Sequence, residues 1–206
     1  MNKTVILCAL IAAAVTTQAA TNNTAFVKDW GRDALAFTLN DVSFGMTYSQ
    51  VTNENCEYKQ VAPPKSELKT ASFLIVSVAE DKIPIGEMRP DVKLYVVKNV
   101  YFNNQDRVVA IEMIFANLDT DKKTFVMRKL DSKYEIMPAE VKNVARYKVS
   151  DHVEILSRAV ETDFTENEFG RKIPVAYSIK NLYFHVPKYQ EALKQASKKT
   201  LPGELI

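Results

Sequence analysis

Two β-rich runs separated by four turn-forming residues constrain this chain more than any other stretch. Val92 to Phe102 is dense in β-branched and aromatic side chains, Asn103-Asn104-Gln105-Asp106 follows, and Arg107 to Phe115 resumes the pattern. Val109, Ile111, Met113 and Phe115 stand at alternate positions. A period of two puts them on one face of a strand. Asn and Asp tolerate a left-handed backbone and bond their own main chain, so the polar quartet reads as a hairpin loop. A lone hairpin is at best marginal in water and needs further strands or a helix against it.

Further strands are at hand. Residues 71–79 form an apolar run of the kind buried in a sheet, and 158–165 alternate loosely. The turn Asn167 to Gly170 leads to Val175–Val186, a long strand with Tyr177, Ile179 and Tyr183 on one face and Leu182, Phe184 and Val186 on the other. Helix signals lie between them. Thr47 with Gln50 three residues later is a capping box, with Met46 and Val51 placed for a hydrophobic staple, and predicts a short helix over 48–55. Asp119 or Thr120 caps a second helix that runs to about Tyr134, with Pro138 as its stop. Pro187 opens a third at its first position, which runs to Lys199 before Pro202-Gly203. Residues 61–70, with Pro63-Pro64, and the stretch punctuated by Pro84, Gly86 and Pro90 read as loops. Residues 139–157 fit a helix through Val141, Val144 and Ala145 and a strand through Val153-Glu154-Ile155, and residues 21–40 admit a short helix or an irregular segment. The expected class is α+β: an antiparallel sheet of about five to seven strands with helices packed mainly on one face.

The first twenty residues carry Lys3, an apolar core from Val5 to Val15 and the small-x-small site Thr17-Gln18-Ala19. That is the layout of a secretory signal peptide, and the apolar run is too short to span a bilayer. The expected organisation is a leader at 1–20 and one α+β domain at 21–206 with a C-terminal helix. The expected location is the periplasm, with secretion as the alternative. Cleavage removes Lys3 and Cys8. The net charge falls from +2 to about +1, far from the basic patch that nucleic-acid binding needs. Cys56 is then the only cysteine, so no internal disulfide forms and the core alone must hold the domain. A lone thiol of this kind is expected to be buried and inert; the alternatives are a bridge to a partner or a reactive site.

No sequence pattern assigns a catalytic, cofactor-binding or metal site. His152 and His185 have no partner at metal-ligand spacing, and a structural or solvent-exposed role is expected for both. There is no G-x-S-x-G elbow, and the five glycines are scattered singly, which leaves no phosphate-cradling loop. Cys56 beside Glu57 is a poor candidate nucleophile, because an adjacent carboxylate raises a thiol pKa. Glu161, Asp163, Glu166 and Glu168 read as a solvated acidic loop, or as one that meets a basic partner. Lys188, Lys194, Lys198 and Lys199 read as a solvated helix face; contact with an anionic membrane surface is the alternative. Tyr95, Tyr101, Phe102, Tyr177, Tyr183 and Phe184 are expected in the core. On an open sheet face they would instead mark a docking surface.

The segment Phe44-Gly45-Met46-Thr47, leading through a short helix to Val51, resembles the G-M-T-x-x-x-V entry of small exported bacterial domains. These are the outer-membrane assembly lipoproteins of the SmpA/OmlA type and the β-lactamase-inhibitor-like domains. The motif spans about ten residues. The lipid-attachment cysteine of the lipoproteins is absent, no Gly follows Tyr134, and this chain is longer. The resemblance implies helices on one face of an antiparallel sheet, and binding to proteins rather than catalysis. Gly45, Met46, Thr47 and Val51 carry over as structural residues. The expected function is therefore an exported, non-catalytic protein-binding domain of the bacterial envelope: an assembly factor, an enzyme inhibitor or an immunity-type protein. A carrier or sensor of a small apolar or lipid ligand is the alternative. The expected partner is another protein, with no nucleic acid and no cofactor.

Overall fold

The computed structural model describes residues 24–76, 95–139 and 141–199. The leader at 1–20, the loop around Pro84, Gly86 and Pro90, and the Pro202-Gly203 stop fall outside them. The chain opens with two short helices, α1 (Thr24–Trp30) and α2 (Arg32–Ala36), and a small β1 (Thr38–Leu39)–β2 (Val42–Ser43) ribbon. Then come α3 (Tyr48–Glu54), β3 (Lys59–Gln60), β4 (Lys69–Val76), β5 (Tyr95–Phe102) and β6 (Val108–Leu118). The second half runs α4 (Thr120–Lys133), β7 (Glu135–Met137), β8 (Val144–Lys148), β9 (Val153–Glu166) and β10 (Lys172–His185), and α5 (Val186–Lys199) ends it.

The main sheet has eight strands in the order β3-β4-β5-β6-β10-β9-β8-β7, paired antiparallel throughout. The class is α+β, as expected, but the sheet exceeds five to seven strands. The surplus comes from its edges. β3 and β7 have two and three residues, too few to show a period, and β8 lies in the segment that fitted helix and strand alike. The element order also repeats. A helix followed by a four-strand meander occurs as α3 with β3–β6 and again as α4 with β7–β10, and the two halves join where β6 pairs with β10.

The capping box at α3 forms in full: the Gln50 N–H donates to Thr47 Oγ1, and Gln50 Oε1 accepts the Thr47 backbone N–H at 2.8 Å. α4 starts on Asp119, whose carboxylate accepts the Lys122 N–H. The predicted hairpin turns through Asn103, whose Oδ1 accepts the N–H groups of Gln105 and Arg107, and Asp106 takes φ +62°.

One face of the sheet carries the core. Phe73, Val96, Ile111, Met113, Phe115, Ile155, Ile179 and Tyr183 are buried in one cluster with Trp30, Phe44 and Val51 and with Val126 and Leu130 of α4. Phe37 stacks on Phe44 at 5.3 Å and tilts against Tyr183 at 5.7 Å. α5 meets the other face, where Tyr189 packs against Phe184 with ring centroids 5.5 Å apart. Among the described residues no helix is long and apolar enough to cross a membrane.

Candidate functional site

β9 and β10 outrun the rest of the sheet. β8 is in register with β9 only as far as the Val144–Arg158 pair, and β6 with β10 only as far as Leu118–Tyr177. Beyond those pairs the two strands continue as a hairpin arm through the Asn167–Gly170 turn, where Asn167 Oδ1 accepts the N–H groups of Phe169 and Arg171. Two register shifts, between Pro174 and Ala176 and between Ala176 and Tyr177, put bulges at the root of the arm. Bulges sharpen strand twist and spoil an edge for further pairing, as do Pro174 and the charges around it.

The arm gathers most of the large exposed apolar side chains of the described residues: Phe164, Ile173, Val175 and, at its tip, Phe169, which is 76 % exposed. Water-facing side chains of this size in one protruding element are a docking feature, not a packing one. The acidic residues read from the sequence as a loop are here too. Glu161, Asp163 and Glu166 lie on β9 and Glu168 in the turn, all exposed.

An open cleft of about 710 Å³ lies at the root of the arm, between the first turns of α4 and the start of β8. Its floor is small: Ala145, Ser157 and Ala159. Met127, Tyr177 and Phe164 add larger apolar side chains to the lining, and Lys123 adds a charge. Lys123 Nζ sits 3.8 Å from the centre of the Tyr177 ring. The floor explains the space, since small residues under a helix leave room that larger ones would fill.

On the sheet face away from the main core, one cross-strand row runs in register through six strands as Leu74, Val97, Ile114, Lys180, Arg158 and Val144. The first three are half-buried, and Lys180 and Arg158 are exposed. Two cations directly opposed across a strand pair repel. Among the described residues no carboxylate is paired with either. One strand further, Arg146 is held by Glu154 at 2.7 and 3.0 Å.

The histidines take structural positions, now with named partners. His185 is fully buried: Nε2 donates to the Trp30 carbonyl at 2.7 Å and Nδ1 accepts the Lys188 N–H at 3.3 Å. Burial pushes its pKa down, with the nearby His152 and Lys188 adding to the effect. His152 grips Asp33 twice, through its backbone N–H at 3.0 Å and through Nδ1 at 2.7 Å. Burial raises the Asp33 pKa, but the Ser150 hydroxyl and both His152 contacts outweigh it and hold the carboxyl well below its usual range. The two imidazoles stand 5.8 Å apart, a neighbourhood that their 33-residue separation in the chain hid. Gly31 is required beside them: its φ is +76° and a Cβ there would lie 2.6 Å from His152 Nδ1. Among the described residues no three His, Cys, Asp or Glu side chains are grouped to hold a metal ion.

Cys56 is exposed, which corrects the expectation of a buried thiol. The inward position at the end of α3 goes to Asn55, whose Nδ2 donates to the Val51 carbonyl and whose Oδ1 accepts from Lys98. Sequence reasoning missed Lys98 altogether. It stands fully buried in the middle of the core face, with its ammonium also on the Asn40 carbonyl at 2.8 Å and near the Tyr58 ring. Burial pushes its pKa down to about 8 against the opposing pull of Asp41 and Glu57.

No family model, no curated protein and no solved structure matches this chain.

Proposed function

We propose that this chain is an exported, non-catalytic protein-binding domain that engages its partner through the β9–β10 arm and the cleft at its root. One observation carries this reading. Phe164, Phe169, Ile173 and Val175 are presented on a two-stranded element that contributes little to the core. Holding large apolar groups in water is unfavourable unless a partner covers them, and aromatic side chains on a protrusion are the usual anchors of such contacts. The polar groups that often do chemistry are engaged in structure: both nitrogens of His185 bond backbone groups, and Asp33 is held by His152. The leader pattern at 1–20 supports export, with the periplasm as the proposed location.

The test compares capture by the purified chain with capture by a Phe164→Ser/Phe169→Ser variant, each immobilised and exposed to envelope extract. The expected result is a stoichiometric protein retained by the parent and lost by the variant, with the circular dichroism of the two unchanged. Equal retention by both would remove the arm from binding.

The cleft supports a second reading, carriage of a small apolar ligand, because its volume of about 710 Å³ lies within the range of ligand sites. Native mass spectrometry distinguishes the two. A bound small molecule that is lost in Ala159→Phe, which fills the floor, would favour the carrier.

A further inference from the structure

We propose that the open sheet face is a docking surface for a second copy of this chain, whose β9–β10 arm lies across it in a reciprocal two-fold exchange. The inference rests on the reading of the arm as a docking element and adds the identity of what it meets. It starts from the row that crosses the sheet. Leu74, Val97 and Ile114 give it a half-buried apolar half, and Lys180 and Arg158 give it a cationic one. The two cations are directly opposed and exposed. A carboxylate inserted between them would turn that repulsion into attraction, and an apolar side chain beside it would cover the Val97–Ile114 stretch.

The arm carries both groups in one element. Its carboxylates are Asp163, Glu166 and Glu168, and its apolar anchors are Phe164 and Phe169. Arg171 and Lys172 also lie on the arm, Lys172 directly opposite Glu166, and the arm stays net acidic against the cationic half of the face.

The arm of the same molecule cannot make this contact. It is the continuation of the strands that carry Arg158 and Lys180, and it leads away from them along the strand direction. Asp163 lies five residues beyond Arg158, about 17 Å at the usual strand rise. A second copy turned about a two-fold axis brings its arm back over the face, and symmetry makes the contact twice. Among the described residues, α5 meets this face where Tyr189 packs on Phe184, at the end of β10 away from the arm.

The experiment is sedimentation of the purified chain over a range of concentrations, with charge-reversed variants. The parent is expected to reach twice the monomer mass at tens of micromolar. Its dissociation constant should rise several-fold as salt shortens the screening length from ~10 Å at 0.1 M to ~3 Å at 1 M. Arg158→Glu/Lys180→Glu and, separately, Asp163→Lys/Glu166→Lys are each expected to sediment as monomers. A mixture of the two variants is expected to regain the dimer mass, because each then offers the other a complementary arm and face. All four positions are exposed, and circular dichroism verifies that the variants fold. A parent that stays monomeric throughout, or variants that dimerise like the parent, or a mixture that stays monomeric would overturn the proposal. Failure here is distinguishable from failure of the arm as a docking element. In the first case the Phe164→Ser/Phe169→Ser variant still loses a foreign partner; in the second it does not.

Discussion

Lys98 shows how one residue can govern a packing arrangement that no pattern announces. Its β5 neighbours on the core face are Val96 and Val100, and its cross-strand neighbours are Phe73 and Met113. A charge in that company is unfavourable unless it is fully hydrogen-bonded. The bonds come from Asn40 in the β1–β2 turn and Asn55 at the end of α3, so the lysine ties two separate elements to the sheet. A stability signature follows. The folded-state pKa is about 8, below that of an unfolded lysine, so between the two values the unfolded chain binds more protons. Stability therefore rises with pH from about 8 to about 10, and the full penalty of the buried charge is present below that window. Urea unfolding measured at steps across it should show a positive slope of up to about 1.4 kcal/mol per pH unit. Lys98→Met should flatten that slope; an unchanged slope in the variant would assign the effect to another group. The exposure of Cys56 is a lesson at the same scale. Residue type suggested burial, but the neighbouring Asn55 had hydrogen bonds to make inside, and the turn then points the next residue outward.

At the scale of elements, local chemistry was decisive where the partners lie within a few residues. The α3 cap is complete within four residues, so Thr47→Ala should lower stability by about 1 kcal/mol, as read from denaturant midpoints. The Asn103 turn was equally legible; for α4 the sequence left Asp119 and Thr120 as alternative caps, and Asp119 is the one used. The long strands were legible through their period: Val109, Ile111, Met113 and Phe115 do share the core face. β7 and β8 were not, because a strand of three to five residues carries too little pattern to exclude a helix. The arm was visible in part. The turn at Asn167–Gly170 was expected; of the acids read as a solvated loop, Glu161, Asp163 and Glu166 stand on a strand that outruns its neighbours, and Glu168 is in the turn. Since the arm adds little to the core, replacing Asp163–Pro174 by Asn-Gly should leave the denaturant midpoint within about 0.5 kcal/mol of the parent. Partner capture should be abolished. A large loss of stability would instead make the arm a structural strand.

Across the whole molecule, six of the eight strands share one core, and the short edge strands β3 and β7 add no buried residue to it. Buried side chains continue from Ala71 and Phe73 on β4 through Ile111 and Met113 to Ile155 and Tyr147 on β8, with α1 to α4 against the same cluster. The two halves have the same element order, yet the β6–β10 pair and the common core bind them together. Unfolding is therefore expected as one transition, with near- and far-ultraviolet circular dichroism superimposing in urea. Two separated transitions would show the halves to be independent domains.

The sequence by itself determined the α+β class, the central hairpin, the cap of α3, the presence of α4 and the long strand that feeds α5. Each depends on a period or a contact spanning a few residues, and these are written locally. Only the tertiary structure decided the sheet order, the overhang of the arm, the cleft and the juxtaposition of Lys180 with Arg158. These are properties of register between strands distant in the chain. A strand's own alternation says which residues share a face, but which strand stands beside it, and how far each extends, depends on how the whole core packs. The surfaces proposed to bind are of this second kind.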